Sequence, residues 1–146
     1  WQHEKVVIDV NALFTLSEAF FTDGMAEVIK YGCIKDKELF DKLAECGGKS
    51  GLLPVIDDVI YRCCDIKREV VEKDEKDKGE RMLLNFGHTY GHALEKYYDF
   101  EKLSHGMAVS GGIFAKCLIG EEKGTTKARG ADEKAKIGAM YGLATA

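Results

Sequence analysis

The sequence predicts a mainly α-helical domain with one short strand near its N-terminal end. Apolar residues in most segments recur at every third or fourth position, which is the spacing of one helix face. The 146 residues include 16 glycines and one proline, so the segments end at glycines rather than in the turns of a β sandwich. Only positions 5–10 form a β-branched run typical of a strand. A lone strand cannot form a sheet, so we expect it to pair with a neighbour.

The first part of the chain then carries three predicted helical segments. After a connection at residues 11–16, Ser17 is a potential N-cap for a short one. Longer helices are predicted at residues 23–33 and 36–46, and a pair of glycines ends the second of them.

Pro54 suits the first turn of the next helix, predicted at residues 55–71, which buries one apolar stripe. Lys67 lies near the middle of that stripe. Periodicity does not decide whether its ammonium reaches solvent or turns into a cleft. Residues 74–80 are a mixed-charge connector.

Residues 81–95, Arg-Met-Leu-Leu-Asn-Phe-Gly-His-Thr-Tyr-Gly-His-Ala-Leu-Glu, are the most informative stretch. Read as one helix, they align four polar side chains within an arc of roughly 60°: Arg81, Asn85, His88 and His92. Apolar residues cover the remaining circumference, so this stripe needs a water-filled cleft, a partner chain, a metal or a ligand. Gly87 and Gly91 each cost about 1 kcal/mol relative to alanine, which indicates that another backbone packs closely there.

A loop at residues 98–104 leads to a helix predicted at 105–120, and a weaker helical pattern follows at 132–141. The length suits one domain, residues 1–146. A formal net charge of -4 predicts no general attraction to nucleic acid or anionic membranes, and no apolar run is long enough for a membrane span. Five cysteines without framework spacing predict reduced thiols and a cytoplasmic location.

Three of the four histidines cluster in the second half of the chain. His88 and His92 are one helical turn apart, as in two-histidine metal sites, but Thr89 stands where a zinc peptidase carries its glutamate, so a peptidase is disfavoured. His105 begins a different helix and can close a site across the loop. With Glu27 as a carboxylate ligand, two imidazoles leave positions open for water or substrate, which is the catalytic pattern for Zn²⁺.

The ordinary alternative is that the histidines are unrelated groups and that Glu27 pairs with Lys30 on the surface, worth a few tenths of a kcal/mol. Four polar side chains on faces that should be apolar weigh against it: Lys30, Lys67, Arg81 and Asn85. A cleft with a divalent cation, cationic groups and an amide suits a small, polyhydroxylated, anionic substrate.

Four ordered motifs carry a family resemblance: residues 24–32, Gly-Met-Ala-Glu-Val-Ile-Lys-Tyr-Gly; Lys67-x-x-Val-Val-x-x-Asp-Glu followed by Arg81; residues 84–95; and His105-Gly-Met-Ala-Val. From about residue 7 to 120 the chain resembles the 3-dehydroquinate synthase family of the shikimate pathway. The resemblance implies the multi-helical C-terminal domain of that fold. The family's NAD-binding α/β domain has no counterpart in residues 1–146.

The resemblance also implies site residues, matched position by position. The metal, Zn²⁺ or Co²⁺, is held by Glu27, His88 and His105. The substrate carboxylate and hydroxyls are held by Lys30, Lys67, Arg81 and Asn85. The catalytic positions are His92, for proton transfer, with Lys67 and Asp77. The segment that touches NAD comprises Ala12, Leu13, Phe14 and Thr15.

The implied reaction converts 3-deoxy-D-arabino-heptulosonate 7-phosphate to 3-dehydroquinate. NAD oxidises one hydroxyl transiently and so acidifies the neighbouring C–H; phosphate leaves, the ketone is reduced again, and ring opening with an aldol closure follows. The metal acts as a Lewis acid. The complete enzyme is expected to be a homodimer, and residues 1–146 alone are expected to give no turnover.

The sequence departs from the family pattern at several positions. Asp77 stands where the family usually has Glu, Met107 where it often has Glu, and Ser17 where it has Pro. One extra residue separates His88 from His105, and the family's late phosphate-binding lysine is not identifiable.

Two alternatives stay open. One is another sugar-phosphate cyclase, such as 2-deoxy-scyllo-inosose synthase, although Arg81 and Asn85 favour a carboxylate-bearing substrate. The other is a non-catalytic helical binding or oligomerisation module. A metal-dependent polyol dehydrogenase is disfavoured by the Asn-Phe-Gly-His-Thr-x-Gly-His string.

Overall fold

The computed structural model describes residues 5–73, 79–99, 101–126 and 130–143, except for the side chain of Glu80. In these ranges the chain is helical, and none of the described helices is long and apolar enough to span a membrane. The α-helices are α1 (Glu18–Ile34), α2 (Lys37–Cys46), α3 (Lys49–Leu52), α4 (Ile56–Lys73), α5 (His88–Tyr97), α6 (His105–Glu122) and α7 (Gly130–Met140). Short 3₁₀ helices cover Val10–Thr15, Leu53–Val55 and Glu80–Asn85.

The predicted N-terminal strand is wrong. Residues 5–9 have no regular secondary structure, and the first 3₁₀ helix follows directly. Val6 and Val7 are 71% and 81% exposed. The described residues contain no strand at all, so this segment has no neighbour with which to form ladder hydrogen bonds.

Local capping signals placed most helices correctly. The helices predicted at 36–46, 55–71, 105–120 and 132–141 are confirmed to within two residues at each end. Asp36 accepts a hydrogen bond from the backbone N–H of Leu39, and Gly47 ends α2 in the left-handed region at φ 66°. Ser17 is an N-cap as predicted, but it begins one continuous helix, α1, rather than a short segment before a second helix.

The single helix predicted across residues 81–95 is wrong. The chain forms a 3₁₀ helix at Glu80–Asn85, turns at Phe86 and Gly87, and then begins α5 at His88. Gly87 has φ 83°, a left-handed conformation that a helix interior does not allow. Arg81 and Asn85 therefore belong to a separate element, and the four-residue polar stripe does not exist. His88 and His92 still share one face of α5.

Helices α5 and α6 pack with their backbones in contact, as the glycines predicted. A Cβ atom on Gly112 would lie 2.0 Å from the carbonyl oxygen of Gly87. One on Gly91 would lie 3.2 Å from the backbone of Ala108. Only glycine fits at Gly112, so α6 holds the first turn of α5 at a fixed position.

The larger apolar core lies between α1, α2, α4 and α7, and it includes Met25, Leu39, Leu43 and Val59. A smaller core surrounds Val109 and Ile113 of α6. All five cysteines lie in the described residues and none forms a disulfide.

Tyr141, which directly follows α7, is hydrogen-bonded to the larger core. Its buried hydroxyl donates to the carbonyl oxygen of Leu43 at 2.8 Å, and burial raises the pKa of Tyr141 to about 12. Because that pKa lies above the unfolded value, the contribution of the phenol is fully present below about pH 10 and is lost as the pH rises toward 12.

We expect Tyr141→Phe to lower the free energy of unfolding at neutral pH by about 1–2 kcal/mol, since it leaves the Leu43 carbonyl without this donor. Urea unfolding followed by circular dichroism measures the change. Tyr61→Phe is the matched control, because Tyr61 is 69% exposed and the substitution should change stability by less than about 0.5 kcal/mol. Equal stability of the two variants would contradict the assigned role.

Candidate metal centre

Three helices bring Glu27, His88 and His105 together. Glu27 lies on α1, while His88 and His105 are the first residues of α5 and α6. Their potential ligand atoms all lie within 4.8 Å of one another. The ring centroids of the two histidines are 5.4 Å apart. The three ligands assigned from the family motifs are therefore neighbours in space, although they come from segments far apart in the chain.

The N-terminus of α6 is held directly against α1. Ser104 is the N-cap of α6, and its hydroxyl accepts from the N–H of Met107 at 3.3 Å. The N–H of Gly106 donates to Oδ1 of Asp23 at 2.7 Å. A Cβ atom on Gly106 would lie 2.3 Å from the Asp23 carbonyl oxygen, so only glycine allows this approach. Asp23 precedes Glu27 by one turn, and this contact sets His105 opposite that carboxylate.

Glu27 and His88 face each other with unshared electron pairs. Oε1 of Glu27 lies 3.2 Å from Nε2 of His88, yet it is buried and has no hydrogen-bond partner among the described residues. Nδ1 of His88 lies 3.3 Å from the carbonyl oxygen of Phe86, which places the ring proton on Nδ1. Burial lowers the pKa of His88, so the ring is neutral at pH 7. A cation between Oε1 and Nε2 would relieve the repulsion between these two acceptors.

Lys30 holds the other oxygen of Glu27. Its ammonium lies 2.5 Å from Oε2, and the residue is only 3% exposed, so the two do not form the surface pair considered as an alternative. The ammonium also lies 5.3 Å from the ring centre of Tyr31. This contact fixes the carboxylate with Oε1 directed at His88. The family resemblance assigns Lys30 to substrate binding, whereas in this structure its ammonium forms an ion pair with the Glu27 carboxylate.

The donor set fits a divalent cation that accepts nitrogen and oxygen ligands. Two imidazoles and one carboxylate match a catalytic zinc site, which keeps further positions for water or substrate. The buried Glu27 oxygen without a partner is the observation that such an ion explains.

The other predicted catalytic and substrate residues surround this centre less closely. His92 is exposed, with its ring 5.7 Å from that of His88. Arg81 is half-buried and Asn85 exposed on the 3₁₀ helix that packs against α1 and α4. Lys67 is exposed and has no partner among the described residues, and Asp77 lies outside them.

The residues assigned to NAD contact form a separate element. Ala12, Phe14 and Thr15 are exposed on the first 3₁₀ helix, and the hydroxyl of Thr15 donates to the carbonyl of Ala12 at 2.9 Å. Leu13 packs against the larger core and anchors this helix. Their role stays a prediction.

Sequence reasoning missed two residues at this centre. Asp23 positions α6, and buried Glu95 lies with Oε1 2.9 Å from Nδ1 of His105. Spacing offered a signal for both, because Asp23 is one turn from Glu27 and Glu95 is seven positions after His88. Their contact partners, Gly106 and His105, lie on α6, and periodicity within α1 or α5 does not reveal a contact with another helix.

Comparisons with known proteins agree with this architecture. The family described as "3-dehydroquinate synthase C-terminal" matches residues 24–146. Proteins named 3-dehydroquinate synthase from Clostridium botulinum and Clostridium perfringens are 61% and 55% identical over 97% of the chain. The chain spans 41% of the length of each of these relatives.

A solved structure shares the fold. The 2-epi-5-epi-valiolone synthase ValA from Streptomyces hygroscopicus, with NAD⁺ and Zn²⁺ bound, superposes with a TM-score of 0.81. The match covers 95% of this chain and 39% of that one at 22% identity, so it shows the fold alone. The predicted helical C-terminal architecture is thus confirmed. The family match and the curated relatives together show that the chain belongs to the 3-dehydroquinate synthase C-terminal family.

Proposed function

We propose that this chain forms the metal- and substrate-binding part of a 3-dehydroquinate synthase. The observation that carries the proposal is the buried Oε1 of Glu27, which lies 3.2 Å from Nε2 of His88 with no hydrogen-bond partner among the described residues, beside His105. The family match and the names of the curated relatives support the reaction class.

In this proposal Glu27, His88 and His105 hold Zn²⁺, or Co²⁺ in its place. When bound, the ion supplies Lewis-acid chemistry, which lowers the pKa of a substrate hydroxyl. Lys30 keeps the Glu27 carboxylate turned toward the centre. His92 is exposed and its ring lies beside both histidine ligands, so it is placed to accept a proton from a bound substrate or return one.

The remaining contacts belong to the substrate and to NAD. Arg81 and Asn85 hold the substrate carboxylate, with Lys67 reaching from α4. Ala12 and Phe14 belong to the exposed helix proposed to meet NAD. We further propose that turnover requires the family's NAD-binding domain, that the complete enzyme is a cytoplasmic homodimer, and that its substrate is 3-deoxy-D-arabino-heptulosonate 7-phosphate.

The carboxylate is the feature that separates this substrate from those of other sugar-phosphate cyclases. We expect the zinc-loaded chain to bind the seven-carbon acid at least about ten-fold more tightly than a seven-carbon sugar phosphate without the carboxylate, because charge-assisted hydrogen bonds contribute about 1.5–3 kcal/mol. Isothermal titration calorimetry measures both affinities.

A double variant, Arg81→Ala with Asn85→Ala, should remove this preference and leave the zinc content unchanged. Lys123→Ala is the matched control for loss of a cation, since Lys123 lies at the far end of α6 and should keep the preference. A wild-type chain that binds both ligands equally would favour another cyclase. Zinc binding without affinity for either ligand would favour a non-catalytic helical module.

A further inference from the structure

Glu95 is a buried carboxylate that the proposed mechanism does not use. It lies on α5, and its side chain is 10% exposed. Its Oε1 lies 2.9 Å from Nδ1 of His105, the one side-chain hydrogen-bond partner that the described part of the chain gives it. A carboxylate removed from water without such a partner costs several kcal/mol, so this contact accounts for its burial.

The contact selects one form of the His105 ring. An ionised carboxylate can only accept a hydrogen bond, so Nδ1 of His105 must carry the ring proton. In the neutral ring, Nε2 then keeps its electron pair and is the nitrogen available to a metal. The side chain of His105 is 47% exposed, and solvent alone would not fix its rotamer or its tautomer.

The two histidines of the centre share this arrangement. His88 has Nδ1 on the Phe86 carbonyl, and His105 has Nδ1 on the Glu95 carboxylate. In both cases an acceptor of the protein holds one ring nitrogen and leaves the other free. Acceptors behind a metal-bound histidine fix ring orientation, and their loss typically lowers metal affinity 10–100-fold.

We propose that Glu95 is a positioning residue that holds His105 in the Nδ1–H tautomer, with Nε2 as its ligand nitrogen. Its contribution to metal affinity rests on the proposed function, whereas the tautomer does not require a metal. A competing role exists, because His92, Glu95 and His105 also have potential ligand atoms within 4.8 Å of one another. In that second group Glu95 would itself bind the metal. The experiment below distinguishes a positioning role of Glu95 from a role as a direct ligand.

The first measurement is the tautomer of His105 in the metal-free protein. Two-bond ¹H–¹⁵N correlation spectra at about pH 8, above the usual imidazole pKa of about 6.5, distinguish Nδ1–H from Nε2–H rings. We expect Nδ1–H for His105 in the wild type and a shift toward Nε2–H in Glu95→Ala. Glu95→Gln should retain Nδ1–H, because its amide oxygen can accept the same hydrogen bond and the side chain keeps its shape.

The second measurement is Zn²⁺ affinity by chelator competition. We expect a 10–100-fold loss in Glu95→Ala and a loss of less than about ten-fold in Glu95→Gln. Glu101→Gln is the matched control, since it removes an exposed carboxylate six positions later and should change neither readout.

Two results would overturn the inference. One is a His105 tautomer that is Nε2–H in the wild type or unchanged in Glu95→Ala. The other is complete loss of zinc in Glu95→Gln despite a retained tautomer, which would make Glu95 a direct ligand. If the wild type binds no zinc, the proposed function fails, and the tautomer spectra still decide the positioning role.

Discussion

Replacing His88 by alanine is expected to reduce the zinc content of the purified chain from about one ion per chain to nearly none. The substitution removes one of the three proposed protein ligands, the imidazole whose Nε2 faces Oε1 of Glu27. Only Glu27 and His105 then remain to hold the ion. Two ligands on separate helices cannot compete with buffer and chelator for the ion. Elemental mass spectrometry after loading with Zn²⁺ and dialysis at neutral pH measures the change.

His92→Ala is the control for this experiment. It removes an imidazole one turn away on the same helix, with its ring 5.7 Å from His88, yet it spares Glu27, His88 and His105. We expect it to retain the metal. Loss of zinc in His92→Ala with retention in His88→Ala would instead place the ion between His92, Glu95 and His105. Absence of zinc from the wild type as well would contradict the proposed metal site and make the cluster structural.

The second large effect is expected at Gly112. A methyl group there would lie 2.0 Å from the Gly87 carbonyl oxygen, so Gly112→Ala must push α6 away from the first turn of α5. We expect a loss of about 3 kcal/mol in the free energy of unfolding, at the upper end of overpacking effects. Zinc affinity should fall as well, because these helices carry His88 and His105. Thermal and urea unfolding measure the first effect and chelator competition the second.

Gly24→Ala is the control for that substitution. Gly24 lies inside α1, an added methyl group would meet no atom within 4 Å beyond its chain neighbours and the backbone of its own helix, and its φ is not positive. Alanine should therefore stabilise the protein by about 0.5–1 kcal/mol through its better helix propensity. If both variants unfold alike, the close packing of α5 on α6 is not what holds the metal centre together.

Helix ends were predictable because their signals are local. Ser17, Asp36 and Ser104 each bond to a backbone N–H three residues later, and Gly47 takes the left-handed conformation that ends α2. All of these contacts lie within a few residues of chain. The types of ligand at the site were also predictable from the sequence, since two histidines and a carboxylate in ordered motifs indicate a metal whatever their exact placement.

Contacts between distant segments were not predictable from periodicity. The β-branched run at residues 5–10 lacks a strand partner in the described residues, and pairing, not composition, makes a strand. The break at Gly87 coincides with a contact between distant segments, because a Cβ atom on Gly112 of α6 would lie 2.0 Å from the Gly87 carbonyl oxygen. A glycine inside a helical pattern does not by itself say whether the helix continues.

The sequence by itself determined the helical class, most helix ends and the donor types of the candidate site, because each depends on neighbouring residues. Only the tertiary structure decided which acceptor holds which imidazole. Glu95 meets His105 and Asp23 meets Gly106 because three helices converge on one point, with two glycines removing the side chains that would keep them apart. That convergence is a property of packing, and no single helix encodes it.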